Sequence, residues 1–112
     1  MRGRQAENIA TQYFIRYCYQ IIQRNFRHGS SEIDLIVQKN SLLIFVEVKS
    51  KSALRYGEPE KNIRPAQIER IKTASEAFQM MTNWEKDIRF DTILLTFFPQ
   101  AIKIEHFKDA FS

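Results

Sequence analysis

Residues 32–49 read EIDLIVQKNSLLIFVEVK, two strongly apolar runs, Ile33 to Val37 and Leu42 to Val48, on either side of Lys39-Asn40. Short apolar, β-branched runs around a tight polar turn predict a β-hairpin. Side chains alternate along a strand, so Glu32, Asp34 and Ile36 share one face while Ile33, Leu35 and Val37 share the other. On the partner strand Phe45, Glu47 and Lys49 share a face. A two-residue turn at Lys39-Asn40 sets Glu32 opposite Glu47 and Asp34 diagonally from Glu47 on the same face. Diagonal neighbours lie about 7–8 Å apart, within reach of a shared ion. A loop of odd length would put the acids on opposite faces, so everything downstream depends on register.

Outward from the hairpin, Ala6, Ile9, Ala10, Tyr13, Phe14 and Tyr17 recur at three and four and predict an amphipathic helix. Ile21 to Phe26 reads as a first strand, followed by a turn at Gly29, Ser30 and Ser31. After the hairpin, the polar stretch from Ser50 to Pro65, broken by Gly57 and Pro59, predicts a loop. Pro65 suits the first turn of a second helix whose face is Ile68, Ile71, Ala74, Phe78 and Met81. Ile88 to Phe98 predicts a long strand stopped by Pro99, and Ala101 to Phe107 a last one. The chain, residues 1–112, reads as one α/β domain in the order αβββαββ, with no repeat, low-complexity tract or linker.

Carboxylates gathered on an apolar hairpin repel one another and are costly to desolvate. A divalent cation removes both problems, and oxygen ligands from Asp and Glu suit Mg²⁺ or Mn²⁺, with water and substrate phosphate completing the shell. Lys49, two residues past Glu47, points the same way. It is placed to orient a water and to stabilise charge building on a phosphate under attack. Glu47-Val48-Lys49 alone is a common tripeptide, and alternating charge on a strand is ordinarily a solvated face. The phased Glu32-Ile33-Asp34 across the turn favours the site.

Gly29-x-x-Glu32-Ile33-Asp34-Leu35-Ile36, followed by Phe45-Val46-Glu47-Val48-Lys49, resembles the YraN-like family of predicted endonucleases. That family belongs to the restriction-endonuclease-like superfamily marked by PD-(D/E)xK, which includes archaeal Holliday-junction resolvases. Gly3 and Glu7-x-x-Ala10 are similar to its opening helix, Asn25-x-Arg27 to the end of its first strand, Arg89-Phe90-Asp91 to its late strand and Ala110-Phe111 to its ending. The resemblance implies a restriction-endonuclease-like mixed sheet flanked by helices. It also implies metal binding by Asp34, Glu47 and the Val48 carbonyl, with Lys49 catalytic. Glu7 matches the helix glutamate that joins the metal site in resolvase-like relatives, although its position at the edge of the apolar stripe equally suits a solvated acid. Ile33 stands where the wider motif has proline, a serine (Ser30 or Ser31) replaces the second glycine before Glu32, and Gln67 stands where the family often has lysine. Lys72, about one helical turn further on, is the residue placed to compensate.

Seventeen basic and thirteen acidic residues give a net charge of +4, and the stretch from Lys49 to Lys72 carries an excess of the same size. Arg27, Lys51, Arg55, Arg64, Gln67 and Lys72 are therefore the candidate contacts to a phosphate backbone, each with the alternative of a solvated surface position. Tyr56 is a candidate base-stacking residue on the same terms. Two histidines, His28 and His106, with Cys18 cannot build a structural zinc site, and Gly3, Gly29 and Gly57 make no phosphate loop. The lone Cys18 excludes an intrachain disulfide and reads as a buried helix thiol in a reducing compartment. Arg89 and Asp91 read as a structural ion pair. No run approaches the roughly 20 apolar residues of a membrane span, and the expected location is cytoplasmic. The expected activity is metal-dependent phosphodiester hydrolysis, with nucleic acid as partner, DNA ahead of RNA, and a homodimer by analogy with junction-cutting relatives. The alternative, motivated by Gln67, is a nucleic-acid-binding or assembly module that keeps the fold with little or no turnover.

Overall fold

The structure is a computed structural model that describes residues 2–53 and 64–111. Its elements are α1 (Arg2–Arg16), β1 (Gln20–His28), β2 (Ser31–Lys39), β3 (Leu42–Ser52), α2 (Pro65–Thr82), β4 (Asp87–Phe97) and β5 (Ile102–Phe107). The five strands form one sheet in the order β1-β2-β3-β4-β5, antiparallel except for the parallel β3–β4 pair. A parallel pair needs a long crossover, and α2 lies within that connection. The result is a mixed sheet flanked by two helices, consistent with a restriction-endonuclease-like fold. Among the described residues no helix is long and apolar enough to cross a membrane.

The sheet separates two cores. On one face Ala6, Ala10 and Phe14 of α1 pack on Leu35, Val37, Ile44, Val46, Ile93 and Leu95. On the other, Ile71, Ala74 and Phe78 of α2 pack on Phe26, Ile33, Ile36, Leu43 and Phe45. The hairpin is so apolar because both its faces are covered; each large side chain removed from water contributes about 1.5–3 kcal/mol.

Each helix ends at a left-handed residue, and α1 stops before Tyr17, the last residue of its apolar stripe. Cys18 and Asn83 take left-handed backbone with φ of 68° and 54°. The Tyr19 amide then bonds the Phe14 carbonyl, and the Trp84 amide the Gln79 carbonyl, a helix-ending turn that satisfies otherwise orphaned carbonyls. Tyr17 and Met81, expected in the core, therefore lie beyond or at the helix ends and are 55% and 69% exposed. Cys18, expected as a buried helix thiol, is exposed in the turn. Ile68 of the predicted α2 face is half-buried, and Ser75 is buried beside Ala74.

The hairpin turn is Asn40-Ser41, not Lys39-Asn40. Lys39 pairs with Leu42 and Leu35 with Val46. Asn40 adopts φ 56°, a conformation that asparagine tolerates better than lysine. The shift leaves the loop even in length, so the parity of the two strands survives. Glu32, however, is not the residue facing Glu47; it lies opposite Arg27 of β1.

Alternation also breaks, at Asp34. Ile33 packs with Ile36 on the α2 face, whereas Leu35 and Val37 belong to the α1 face. β1 does the same across from it. Arg24 reaches Asn8 and Glu7 of α1, yet Phe26 stacks edge-on against Phe78 of α2. Asn25, between them, has φ 53°. The two strands twist together at the level of Asn25 and Asp34, and both faces of the sheet stay filled.

Candidate metal centre

Past Leu35 and Val46, Asp34 turns its carboxylate onto β3, where Oδ2 accepts the Val48 amide at 2.8 Å. That bond sets the Asp34 carboxylate against the residue next to Glu47, beyond the last paired residues of the two strands. There the two carboxyl groups are near enough for each to shift the other.

The electrostatics agree. Burial pushes the Glu47 carboxyl up, the Asp34 charge and the hydrogen bond to Asp34 add to it, and Lys49 and Gln67 only partly offset the rise, leaving it at about 8. Burial also raises Asp34, against the Val48 amide and the bond to Glu47, while the negative charges of Glu7 and Glu32 raise it further. An acid pair in which both carboxyls are raised is short of positive charge. A divalent cation supplies it with the oxygen chemistry these groups prefer, so the residues fit the metal implied by the motif.

Gln67 of α2 donates through Nε2 to Glu47 Oε2. The position that often carries lysine in the resembling family thus contacts the central glutamate itself, and Pro65 at the helix start fixes its approach. Lys49 lies two residues along β3 from Glu47, near enough for its charge to lower the Glu47 carboxyl.

The other predicted residues divide. Glu7 carries charge within range of Asp34, but its carboxylate turns to Arg24 at 3.9 Å. Among the described residues no group of three or more acids, histidines or cysteines is arranged to hold one ion. Arg27 is paired with Glu32 at 3.5 Å and its side chain is 73% exposed. Lys51 is half-buried on β3, Arg64 is exposed at the N-cap of α2, and Lys72 is half-buried further along that helix. Arg55 and Tyr56 lie outside the described residues.

A second buried acid lies on the α1 face. Asp91, with none of its surface exposed, is held bidentately by Arg89 at 2.8 and 2.9 Å, the ion pair expected from their spacing. Its further partners were not expected. His106 Nε2 meets Oδ2 at 2.7 Å and the Asp109 amide donates to Oδ1 at 3.0 Å. The other ring nitrogen of His106 is 3.0 Å from the Tyr13 hydroxyl. Burial pushes Asp91 up, yet His106, Arg89 and the Asp109 amide outweigh it, and the carboxyl falls below its usual range.

The model of an uncharacterised protein family, UPF0102, matches residues 6–95. A UPF0102 protein of Chlorobium limicola is 39% identical over 116 aligned residues, covering 97% of this chain and 90% of its own. One from Flavobacterium psychrophilum is 33% identical, covering 97% and 92%, and one from Bacteroides fragilis 34%, covering 97% and 90%. The match spans both strands that carry the acid pair and the helix that carries Gln67, and the YraN-like resemblance holds at this level: the chain belongs to uncharacterised protein family UPF0102.

Proposed function

We propose that this chain is a metal-dependent nuclease that hydrolyses phosphodiester bonds in nucleic acid, DNA rather than RNA. The observation that carries the reading is the meeting of the half-buried Asp34, bonded to the Val48 amide, with the buried Glu47 beside Lys49, where both carboxyls are raised. Asp34 and Glu47 would hold Mg²⁺ or Mn²⁺, with the Val48 carbonyl and Glu7 as further candidate oxygen donors. When bound, the ion supplies Lewis-acid polarisation of the phosphate and a more acidic water. Lys49 orients the attacking water and stabilises the negative charge that develops on the phosphate oxygens. Gln67 fixes the Glu47 carboxylate through its amide. Arg27, Lys51, Arg64 and Lys72 would contact backbone phosphates without reading sequence.

The test is cleavage of duplex, single-stranded and branched DNA, and of RNA, with Mn²⁺ or Mg²⁺. Asp34→Ala and Lys49→Ala are each expected to lower the rate by about 100-fold or more, with circular dichroism showing the fold retained. Equal rates for both variants and the wild type would remove the assignment.

One observation favours the alternative of a binding or assembly module: Gln67 already occupies a Glu47 oxygen that the ion would use. That reading expects nucleic-acid binding to survive chelation and Asp34→Ala, with no nicking under any divalent ion. Thermal denaturation separates the two. An ion that binds only the folded state raises its stability by about 2.7 kcal/mol at a hundred times its dissociation constant. The nuclease reading expects that gain in the wild type and its loss in Asp34→Ala.

A further inference from the structure

β5 ends the sheet, and among the described residues nothing pairs with its outer edge. The identity of its outward groups follows from the β4–β5 turn. There the Phe98 amide donates to the Ala101 carbonyl at 2.8 Å, and the ladder continues without a shift from Phe97–Ile102 to Thr92–Phe107. Hydrogen-bonded and non-bonded pairs alternate in an antiparallel ladder. Lys103, Glu105 and Phe107 therefore direct their backbone groups at β4, and Ile102, Ile104 and His106 direct theirs outward. The far side of β4 obeys the same phase, since the Phe97 carbonyl accepts the Ala53 amide of the β3 side at 3.0 Å.

We propose that this edge binds β5 of a second copy of the chain, antiparallel, with Ile104 on the two-fold axis. Of the symmetric registers that pair outward groups, one centred on Lys103 sets that lysine against its own copy, and one centred on Glu105 sets two glutamates together. Centring on Ile104 instead places Lys103 opposite the partner's Glu105, twice by symmetry. Opposite charges facing across strands stabilise the pair and like charges oppose it, so charge selects this register. It also pairs all the outward N–H and C=O groups of Ile102, Ile104 and His106. Edge strands that avoid partners carry proline, bulges or unmatched lysines; here there is no proline in Ile102–Phe107, and the lysine is matched.

The side chains fit as well. Ile102 and Ile104 are 40% and 37% exposed. Ile104 forms one wall of a groove of about 350 Å³ that Ile9, Tyr13 and Tyr17 of the α1 region also line. In the proposed register the second copy's Ile102 comes opposite His106, at the margin of that groove, and covers part of its apolar lining. The two-fold runs perpendicular to the sheet, so both acid pairs open on the same face. At about 4.8 Å per strand step the β3 strands of the two copies stand about 24 Å apart across the joined sheet. The proposal does not depend on the nuclease reading.

Sedimentation velocity on the full chain tests it with Lys103→Glu, Glu105→Lys and an equimolar mixture of the two. The wild type is expected to dimerise. Each variant alone faces like charges at two sites, and its dissociation constant should rise by about tenfold or more. The mixture should recover a heterodimer, because each Lys103→Glu chain then faces a Glu105→Lys chain with both charge pairs opposite in sign. The contact between Lys103 and Glu105 within one chain, at 4.0 Å, is lost in both variants and cannot account for that recovery. A wild type monomeric at millimolar concentration overturns the proposal. Variants that dimerise like the wild type, or a mixture that stays monomeric, do so too.

Discussion

Asp91 and Glu47 are buried carboxyls on opposite faces of one sheet, Glu47 beside the half-buried Asp34, and they have met opposite fates. Asp91 is surrounded by Arg89, His106 and the Asp109 amide, and its carboxyl is held below the usual range. Asp34 and Glu47 face each other, with Lys49 and Gln67 as partial compensation and Glu7 and Glu32 adding negative charge, and both are raised. The first is an acid whose charge the fold itself neutralises. The second leaves a deficit of positive charge that the chain does not fill. The difference separates a structural acid from a candidate ligand pair more sharply than burial, which the two share.

The largest effect expected from this contrast is on stability. Asp91→Asn leaves Arg89 and His106 without their anion and should cost about 3–5 kcal/mol in denaturant unfolding. Glu47→Gln removes a charge that the site disfavours, and should be neutral or stabilising in the metal-free protein. If the two substitutions cost the same, the distinction between the faces is lost.

Acidity sharpens the comparison next, because the two regions have opposite signs. Glu47 titrates at about 8 in the folded chain against an ordinary 4.5, so the folded state holds a proton that the unfolded state has released. Its contribution is therefore full below about 4.5 and is lost as pH rises toward 8, at up to about 1.4 kcal/mol per pH unit. Asp91 is lowered from 3.8, and its contribution is present above that value and lost as pH falls through its folded titration. Unfolding free energies measured in chelator across pH 4.5–8 should decline for the wild type and stay flatter for Glu47→Gln. A wild type with no decline over that window contradicts the acid-pair electrostatics.

These sites were not equally legible in the sequence. Asp34 and Glu47 could be brought together from alternation alone, because moving the two-residue turn by one position shifts the register by two and preserves strand parity. The break in alternation at Asn25 and Asp34 could not be read that way. It depends on α1 and α2 packing the two faces at once, and its only trace in the sequence is an asparagine in a strand. Arg89 was visible as the partner of Asp91 at a spacing of two. His106 was hidden because its position depends on the β4–β5 register, which places it beside Ile93. Cys18 and Tyr17 differ from expectation because an apolar stripe does not record where a left-handed residue stops the helix. The overall order of elements was legible because the strand runs are apolar and bounded by turn residues and each helix has a clear three-to-four period.

The smallest expected effect comes from making one region resemble the other. Gln67 already touches Glu47, so Gln67→Lys places a cation where the pair lacks one, as Arg89 does for Asp91. A nearby opposite charge favours the ionised carboxylate, so the metal-free decline in stability between pH 4.5 and 8 should shallow, with a gain of about 1 kcal/mol at pH 8 on the scale of a partly buried charged hydrogen bond. The same lysine competes with an added ion for the same charge, so the thermal stabilisation by Mn²⁺ should shrink relative to the wild type. Both changes must occur together for the deficit of positive charge to be their common cause. A flattened pH profile with undiminished ion stabilisation would mean that Glu47 and the ion respond to different features of the site, and that the raised Glu47 carboxyl does not mark where the cation binds.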